Sequence, residues 1–371
     1  MAHKVFGILN LHSAPELGPL TKSRSIGAAS FMGRYAFMDF PLSNFSNSGI
    51  DEVGILVKNH LRSVLKHLGS MQSFTLNTKI GRHTIMFNES AHNKEMKNTD
   101  LNNLLKNDWV FFESKADYIV IQPTHVVCKI DFVPLINEHV RRGEKVSLIY
   151  AKVNNATKTF LTHDLVFLKE DYVRTFKKNQ KEQKEAFVSL ETYIINRDLF
   201  FEILEEIQKV KTNATIEDAI KRFNGKLYKI HAIAHIGYVR SFASLEDYYN
   251  FSQEILDYRY AHQVFLKDWP LYTLTRDTTP ALYSSKAHVR NSFIANGAYI
   301  EGRVENSVIA RNVQVLKGAV VKNSIILSDT IVGENTSINY AVVDKYCRLF
   351  NSVKIEGEQK APTYVEQGKK T

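Results

Sequence analysis

Three short stretches carry residue types that could do chemistry. Thr124-His125 follows the apolar run Tyr118 to Gln122, and an imidazole there could serve as a general base. Leu11-His12 follows the run from Val5 in the same way, and Gly237-Tyr-Val-Arg240-Ser241 adds a guanidinium and a hydroxyl. Cys128 and Cys347 stand far apart, with no CxxC or metal-ligand spacing. They exclude a disulfide framework, argue against a structural zinc and fit a reducing cytoplasm. No glycine stands between Gly7 and Gly18, so the loop after the first apolar run lacks the residue that lets a backbone approach phosphate.

These stretches need a scaffold, and the pattern from Val5 to about Phe242 predicts one. Strand-like runs at Val5 to Leu11, Val53 to Lys58, Tyr118 to Gln122, Lys145 to Val153, Leu165 to Lys169 and Tyr193 to Asn196 alternate with helical runs. The helical runs are Leu61 to Leu68, Val133 to Arg142, Leu199 to Val210 and Ile216 to Phe223. That order predicts an α/β domain with a mostly parallel sheet, whose ligands bind beyond the carboxyl ends of the strands. The loops after Leu11 and Gln122 are therefore the expected address. A polar, aromatic-rich helix opens at Ser244, with Asp247 at capping-box distance, and runs towards Asp268 before Pro270 stops it.

After Leu282 a phrase recurs: Asn291-Ser-Phe-Ile294, Asn306-Ser-Val-Ile309, Asn323-Ser-Ile-Ile326 and a degenerate copy at Asn339 to Val343, spaced by 15, 17 and 16 residues. Apolar residues step by six through Ile309, Val315, Val321 and Leu327, then from Val332 to Ile338 and from Val343 to Leu349. Such steps predict a three-sided parallel β-helix, with the asparagines stacked as a ladder; a sandwich would turn every 8 to 12 residues without a repeated phrase. About four turns are expected, with Glu358 to Thr371 as a polar tail. The divisions are a sheet domain over 1–243, a connection over 244–285 and the β-helix over 286–371.

The chain has 371 residues and a formal charge of +9, with 44% hydrophobic and 23% charged residues, an ordinary globular composition. Its bases are interspersed with acids, which argues against a nucleic-acid partner. No apolar stretch approaches the roughly 20 residues of a bilayer span, so no membrane is expected. Polar Asn10 and His12 come too early for a signal peptide, and the chain is expected to begin near Met1 and reside in the cytoplasm.

Pro19-Leu-Thr-Lys-Ser-Arg24, Phe31-Met-Gly-Arg-Tyr-Ala-Phe-Met-Asp-Phe-Pro-Leu-Ser-Asn44 running on to Ile50, Thr124-His125 to Asp131, Gly237-Tyr-Val-Arg240 and Asp268-Trp-Pro-Leu-Tyr-Thr273 together resemble the ADP-glucose pyrophosphorylases, or glucose-1-phosphate adenylyltransferases. The resemblance covers nearly the whole chain. It implies a Rossmann-like nucleotidyltransferase domain joined to a left-handed β-helix, assembled as a tetramer, that makes ADP-glucose and pyrophosphate from ATP and glucose 1-phosphate. That reaction needs backbone N–H groups around a triphosphate, a cationic clamp and carboxylates holding Mg2+.

Matched position by position, the requirements fail. The family's glycine-rich loop is Ile8 to Pro15 here, where Leu11 and His12 put side chains in the way and Pro15 removes a donor. Thr124 and Ser241 stand at the two metal-binding aspartates, and neutral hydroxyls anchor Mg2+ poorly. Ile26 and Ala36 replace a lysine and an arginine, Lys97 to Asn102 replaces the nucleotide- and sugar-contacting segment, and nothing between Val153 and Tyr193 matches the sugar-phosphate lysine motif. Some of these positions belong to the family's effector site. Tyr35, Asp39 to Asn44 and Asn47 to Ile50 are kept; Asp39 and Asn44 are expected to satisfy backbone groups between helix and sheet, and His125 to be a hydrogen-bonded structural residue.

The resemblance is to GlgD-type chains, implying a non-catalytic regulatory subunit. No catalytic residue, metal ligand or cofactor-binding residue is assigned, and Mg2+ is expected only in a catalytic ADP-glucose pyrophosphorylase partner within a heterotetramer. Self-association without that partner is also open. Phe293, Tyr299 and Tyr340 are candidate interface residues. The alternatives are an active adenylyltransferase with a displaced site and a sugar-phosphate or nucleotide sensor. A β-helix acyltransferase would need a histidine within the repeats, and His288 lies only at their edge.

Overall fold

A computed structural model describes residues 3–69, 72–74, 81–88, 98–210 and 213–371. Its centre is a nine-stranded sheet. In chain order the strands are β1 (Val5–Asn10), β2 (Glu52–Val57), β3 (Arg82–Phe87), β4 (Tyr118–Pro123), β5 (Val146–Val153), β6 (Asp164–Lys169), β7 (Tyr172–Lys178), β8 (Ala186–Asn196) and β9 (Ile230–His235). Their order across the sheet is β3-β2-β1-β4-β8-β5-β9-β7-β6. The parallel run predicted from the alternation holds from β3 to β4 and again between β5 and β9. The joints around β8 and β7 are antiparallel, so the second half of the sheet is mixed. β7 is polar at most positions and β3 is half-exposed, so neither carried the apolar signal of a buried strand.

Alternation along the strands splits the core into two layers. On one side, Leu9 and Val120 meet Leu42 and Phe45 of α1 (Asp39–Asn47), Val64 and Leu68 of α2 (Leu61–Leu68), and Phe132 and Ile136 of a helix over Phe132–Arg142. On the other side, Ile8, Ile119 and Ile121 meet Leu101 and Leu104 of α3 (Asp100–Lys106) and the apolar stripe of Arg197–Gln208. The Ser244 helix is two helices: Leu245–Glu254, capped by the Ser244 hydroxyl, and Tyr258–Val264, restarted by Asp257 as a new cap.

The carboxyl-terminal part is a left-handed β-helix with three five-stranded parallel faces. The asparagine ladder is present: Asn291 Nδ2 donates to Asn306 Oδ1 at 2.9 Å, Asn306 to Asn323 at 3.3 Å and Asn323 to Asn339 at 3.0 Å. Asn291, Asn306 and Asn323 occupy left-handed backbone, which asparagine tolerates better than most residues. In the degenerate copy Tyr340 takes that conformation (φ 50°) and Asn339 closes the ladder from one place earlier, which explains the irregular last spacing.

Two expectations are corrected. Ile309 pairs with Ile326, not Leu327, so the interior column runs Ile309, Ile326, Val343, while Leu327 packs against the sheet domain. Glu358 to Thr371 is no free tail, because Thr363–Val365 pairs with Ala341–Val343 and completes a fifth row, with Val365 buried. The first coil strand is Leu282–Tyr283, ahead of residue 286.

A third apolar cluster joins the two parts. Phe31, Phe37, Phe242, Tyr248 and Tyr249 pack with Val308, Ile325, Leu327 and Val342 of the β-helix. Gly33 (φ 76°) lets the loop lie on the first coils, where a β-carbon would stand 3.1 Å from the Ile309 carbonyl oxygen. Arg24 donates two hydrogen bonds to Asp344, both 2.8 Å, in a buried pair across the same seam. Among the described residues, no helix is long and apolar enough to cross a membrane.

Candidate functional site: a closed cleft and a cationic cavity

The loops after β1 and β4 lie at the same edge of the sheet, as neighbouring parallel strands require. The loop after β1 is closed by its own side chains. Asn10 Nδ2 and the Ser13 hydroxyl both donate to Asp100 Oδ2, at 3.1 and 2.7 Å, and Asn10 Oδ1 accepts from the His12 amide at 2.8 Å. Asp100 Oδ1 also accepts the amides of Leu101 and Ile216. His12 is buried, with Nε2 at 3.1 Å from Asn98 Oδ1, and burial lowers its pKa from the usual imidazole range. Leu11 packs so closely on Gly27 that a β-carbon there would stand 2.6 Å from Leu11 Cδ2. The polar groups of this loop are thus turned inward onto Asp100, and apolar bulk fills the space above it.

The loop after β4 leads into Val126–Cys128, which pairs antiparallel with Val239–Ser241, setting Ser241 opposite Val126. The Phe242 amide then donates to the His125 carbonyl. Positions 124 and 241 are brought to one place, but neither can hold Mg2+. Thr124 Oγ1 is buried without a hydrogen-bond partner among the described residues, and the Ser241 hydroxyl is committed to His163 Nε2 at 2.6 Å. A hard dication needs several oxygen ligands with charge among them, and these two neutral groups do not fit it.

The other expected positions follow suit. Ile26 and Ala36 are buried in apolar clusters. Thr99 caps α3, and Lys97 lies outside the described residues. Asp39 accepts the Ala36 amide at 2.8 Å and holds His67 Nε2 at 2.6 Å, while Asn44 bonds Cys128 O, the Ile130 amide and Trp269 Nε1. Phe293, Tyr299 and Tyr340 are half-buried, and Phe293 and Tyr340 pack into the seam cluster; the large exposed apolar residues of the β-helix are instead Leu282, Tyr283, Val289, Tyr346 and Phe350. His288 is exposed on the first coil.

His163 and Glu191 carry no motif in the sequence. His163 Nδ1 lies 2.8 Å from the Ser189 carbonyl and 3.4 Å from Glu191 Oε1, and His125 Nε2 lies 3.6 Å from Glu191 Oε2. Burial pushes His163 down to about 4, so its imidazole is neutral at pH 7. Burial would raise Glu191, but the two imidazoles beside it outweigh that and hold the carboxyl below its usual range.

A cavity of about 530 Å³ opens on the other side of the seam, between α2 and the last coils. Arg24, His60, Arg62, Lys66, Arg276 and Lys345 line it. Burial, with Arg24 close by, pushes Lys345 down to about 8. Lysines and arginines on elements far apart in the sequence converge here, which no local pattern could reveal.

Fold and closed cleft together define a nucleotidyltransferase scaffold carrying a hexapeptide β-helix. The Nucleotidyl transferase family matches residues 13–257, and the GlmU-like, C-terminal hexapeptide family matches 279–363. The chain is 31% identical over 325 residues to the glycogen biosynthesis protein GlgD of Geobacillus stearothermophilus, covering 86% of this chain and 84% of the relative. It is 29% identical over 352 residues to GlgD of Bacillus subtilis (95% and 92%), and 28% over 347 residues to the glucose-1-phosphate adenylyltransferase of Fervidobacterium nodosum (91% and 82%). The chain belongs to the nucleotidyl transferase family, within the GlgD-type branch of the ADP-glucose pyrophosphorylases.

Proposed function

We propose that this chain is a non-catalytic regulatory subunit of ADP-glucose pyrophosphorylase, acting in glycogen biosynthesis by pairing with a catalytic homologue and raising its ADP-glucose synthesis. One observation carries the reading. Both carboxylate positions are neutral hydroxyls, and Ser241 is committed to a buried histidine. The inward-turned loop at Asp100 supports it, because a triphosphate would have to displace those hydrogen bonds and the Leu11 side chain. A subunit without chemistry acts through a coupling free energy across its interface, of about 1 to 3 kcal/mol.

The purified chain alone should make no ADP-glucose from ATP, glucose 1-phosphate and Mg2+, while adding it to a catalytic homologue from the same source should raise that enzyme's rate. Substantial synthesis by the chain alone would sink the reading. Thr124→Asp with Ser241→Asp should leave it inactive, since the loop after β1 stays closed; an enzyme with a displaced site would instead lose an existing activity.

A second reading, a sugar-phosphate or nucleotide sensor, is favoured by the cationic cavity. Calorimetry with fructose bisphosphate, ATP, glucose 1-phosphate and ADP-glucose separates the two. Tight binding that Lys345→Ala and Arg276→Ala abolish supports a sensor, and no binding leaves the subunit role alone.

A further inference from the structure

The cleft gathers donors beyond the Ser241–His163 contact that the subunit reading uses. Two buried imidazoles and a carboxylate converge from three segments: His125 from the loop after β4, His163 from the turn before β6, and Glu191 from β8. One ligand atom from each lies within 4.8 Å of the other two. We infer that His125, His163 and Glu191 form a binding site for one divalent transition ion of the zinc class.

Distance and donor type agree. Bonds of about 2.0 to 2.1 Å around a tetrahedral ion set ligand atoms about 3.3 to 3.4 Å apart. Glu191 Oε2 lies 3.6 Å from His125 Nε2 and Oε1 lies 3.4 Å from His163 Nδ1, so each histidine faces its own oxygen, as a carboxylate ligating through both oxygens would present them. These are too long for good hydrogen bonds and near the span across a shared ion. Two imidazoles with one carboxylate suit zinc, whereas Mg2+ and Ca2+ demand oxygen shells.

The backbone is shaped to deliver the carboxylate. Pairing of β8 with β5 breaks register between Ser189 and Thr192, and Glu191 sits in that bulge at φ 52°, a left-handed conformation that its β-carbon disfavours. Bulges of this kind re-aim a side chain, and here the aim is at the two histidines.

Proton positions allow binding without charging a histidine. As found, His163 Nδ1–H donates to the Ser189 carbonyl, and Nε2 accepts from the Ser241 hydroxyl. To ligate through Nδ1, the imidazole moves its proton to Nε2, which then donates to Ser241 Oγ. The Ser189 hydrogen bond is given up and the Ser241 bond is kept with its direction reversed. His125 would ligate through Nε2 and keep its proton on Nδ1, an atom with no hydrogen-bond partner among the described residues. Ser241 thereby becomes an outer partner that orients a ligand histidine.

The test uses the full-length chain stripped with EDTA and titrated with Zn2+ and, separately, with Co2+. Expected are one equivalent of Zn2+ bound by calorimetry, a raised thermal midpoint, and the visible absorption of four- or five-coordinate Co2+; Mg2+ should give none of these. Glu191→Gln and His125→Ala should each weaken Zn2+ binding by more than about 100-fold, beyond the usual loss from an outer partner. Absence of stoichiometric binding by the wild-type chain, or unchanged binding in both variants, overturns the site. Should the variants fail to fold, X-ray absorption of the zinc-loaded wild type decides: two imidazoles with oxygen support it, and sulfur or an all-oxygen shell overturns it.

Discussion

The β-helix and the cleft spend side chains in opposite ways. In the β-helix each interior side chain repeats what its neighbour one coil away does. Val304, Val321, Ile338 and Ile355 follow one another up a single face, and asparagine donates to asparagine through the ladder. In the cleft side chains from different segments converge on shared partners. Asp100 gathers groups from the loop after β1, from its own helix and from Ile216, and Ser241 answers to one histidine. A repeat survives substitution piecemeal, because adjacent coils hold the register. A convergent site depends on all of its members at once, so a complete fold can surround neutral hydroxyls at positions 124 and 241.

Breaking the seam between the two regions should have the largest effect. Asp344→Ala removes the buried carboxylate partner of Arg24 and the nearer of two acceptors of the Tyr364 hydroxyl, so a loss of about 3 to 5 kcal/mol is expected in urea unfolding. Next comes the repeat itself. Ile338→Ala opens a cavity at a fully buried position and should cost about 2 to 5 kcal/mol, with the midpoint shifted and the cleft unaltered.

The cleft should answer to acid through its buried histidine. The unfolded chain protonates His163 near the ordinary imidazole value of 6.5, whereas the folded, metal-free chain resists until about 4. The unfolded state therefore binds the extra proton in that window, and stability falls as pH drops from about 6.5 through about 4. The full span is about 3 kcal/mol, and His163→Gln should flatten that part of the stability profile. Smallest is a single rung. Asn306→Ala removes one donor and one acceptor of the ladder at a left-handed residue and should cost about 1 to 2 kcal/mol, less than Ile338→Ala in the same melts.

What the sequence disclosed divides along the same line. The six-residue steps and the Asn-Ser phrase report neighbours one coil apart, so the β-helix and its ladder were legible, while the slip at Leu327, the first strand Leu282–Tyr283 and the closing strand Thr363–Val365 were not. The slip follows from a coil whose registered partners, Ile309 and Ile326, are not a multiple of six apart. Helices such as Leu61–Leu68 showed their apolar stripe directly. The substitutions at Thr124 and Ser241 were readable because long motifs flank them. The Asp100 hub, His163 and Glu191 were hidden: each acts through partners distant in the chain, and Glu191 sits inside an apolar run whose bulge no periodicity reveals. The antiparallel insertion of β8 was likewise invisible, since alternation of strands and helices says nothing about strand direction.

The aromatic seam has a consequence for cooperativity. Phe31, Phe37, Tyr248 and Tyr249 belong to one apolar cluster with Val308, Ile325 and Val342, and the Tyr249 hydroxyl donates to the Asn323 carbonyl beside a rung of the ladder. Neither architecture can expose its share of that cluster without stripping the other. Heat should therefore melt the sheet and the coils in a single calorimetric transition, and a partner gripping only the coils would slow the unfolding of the whole chain.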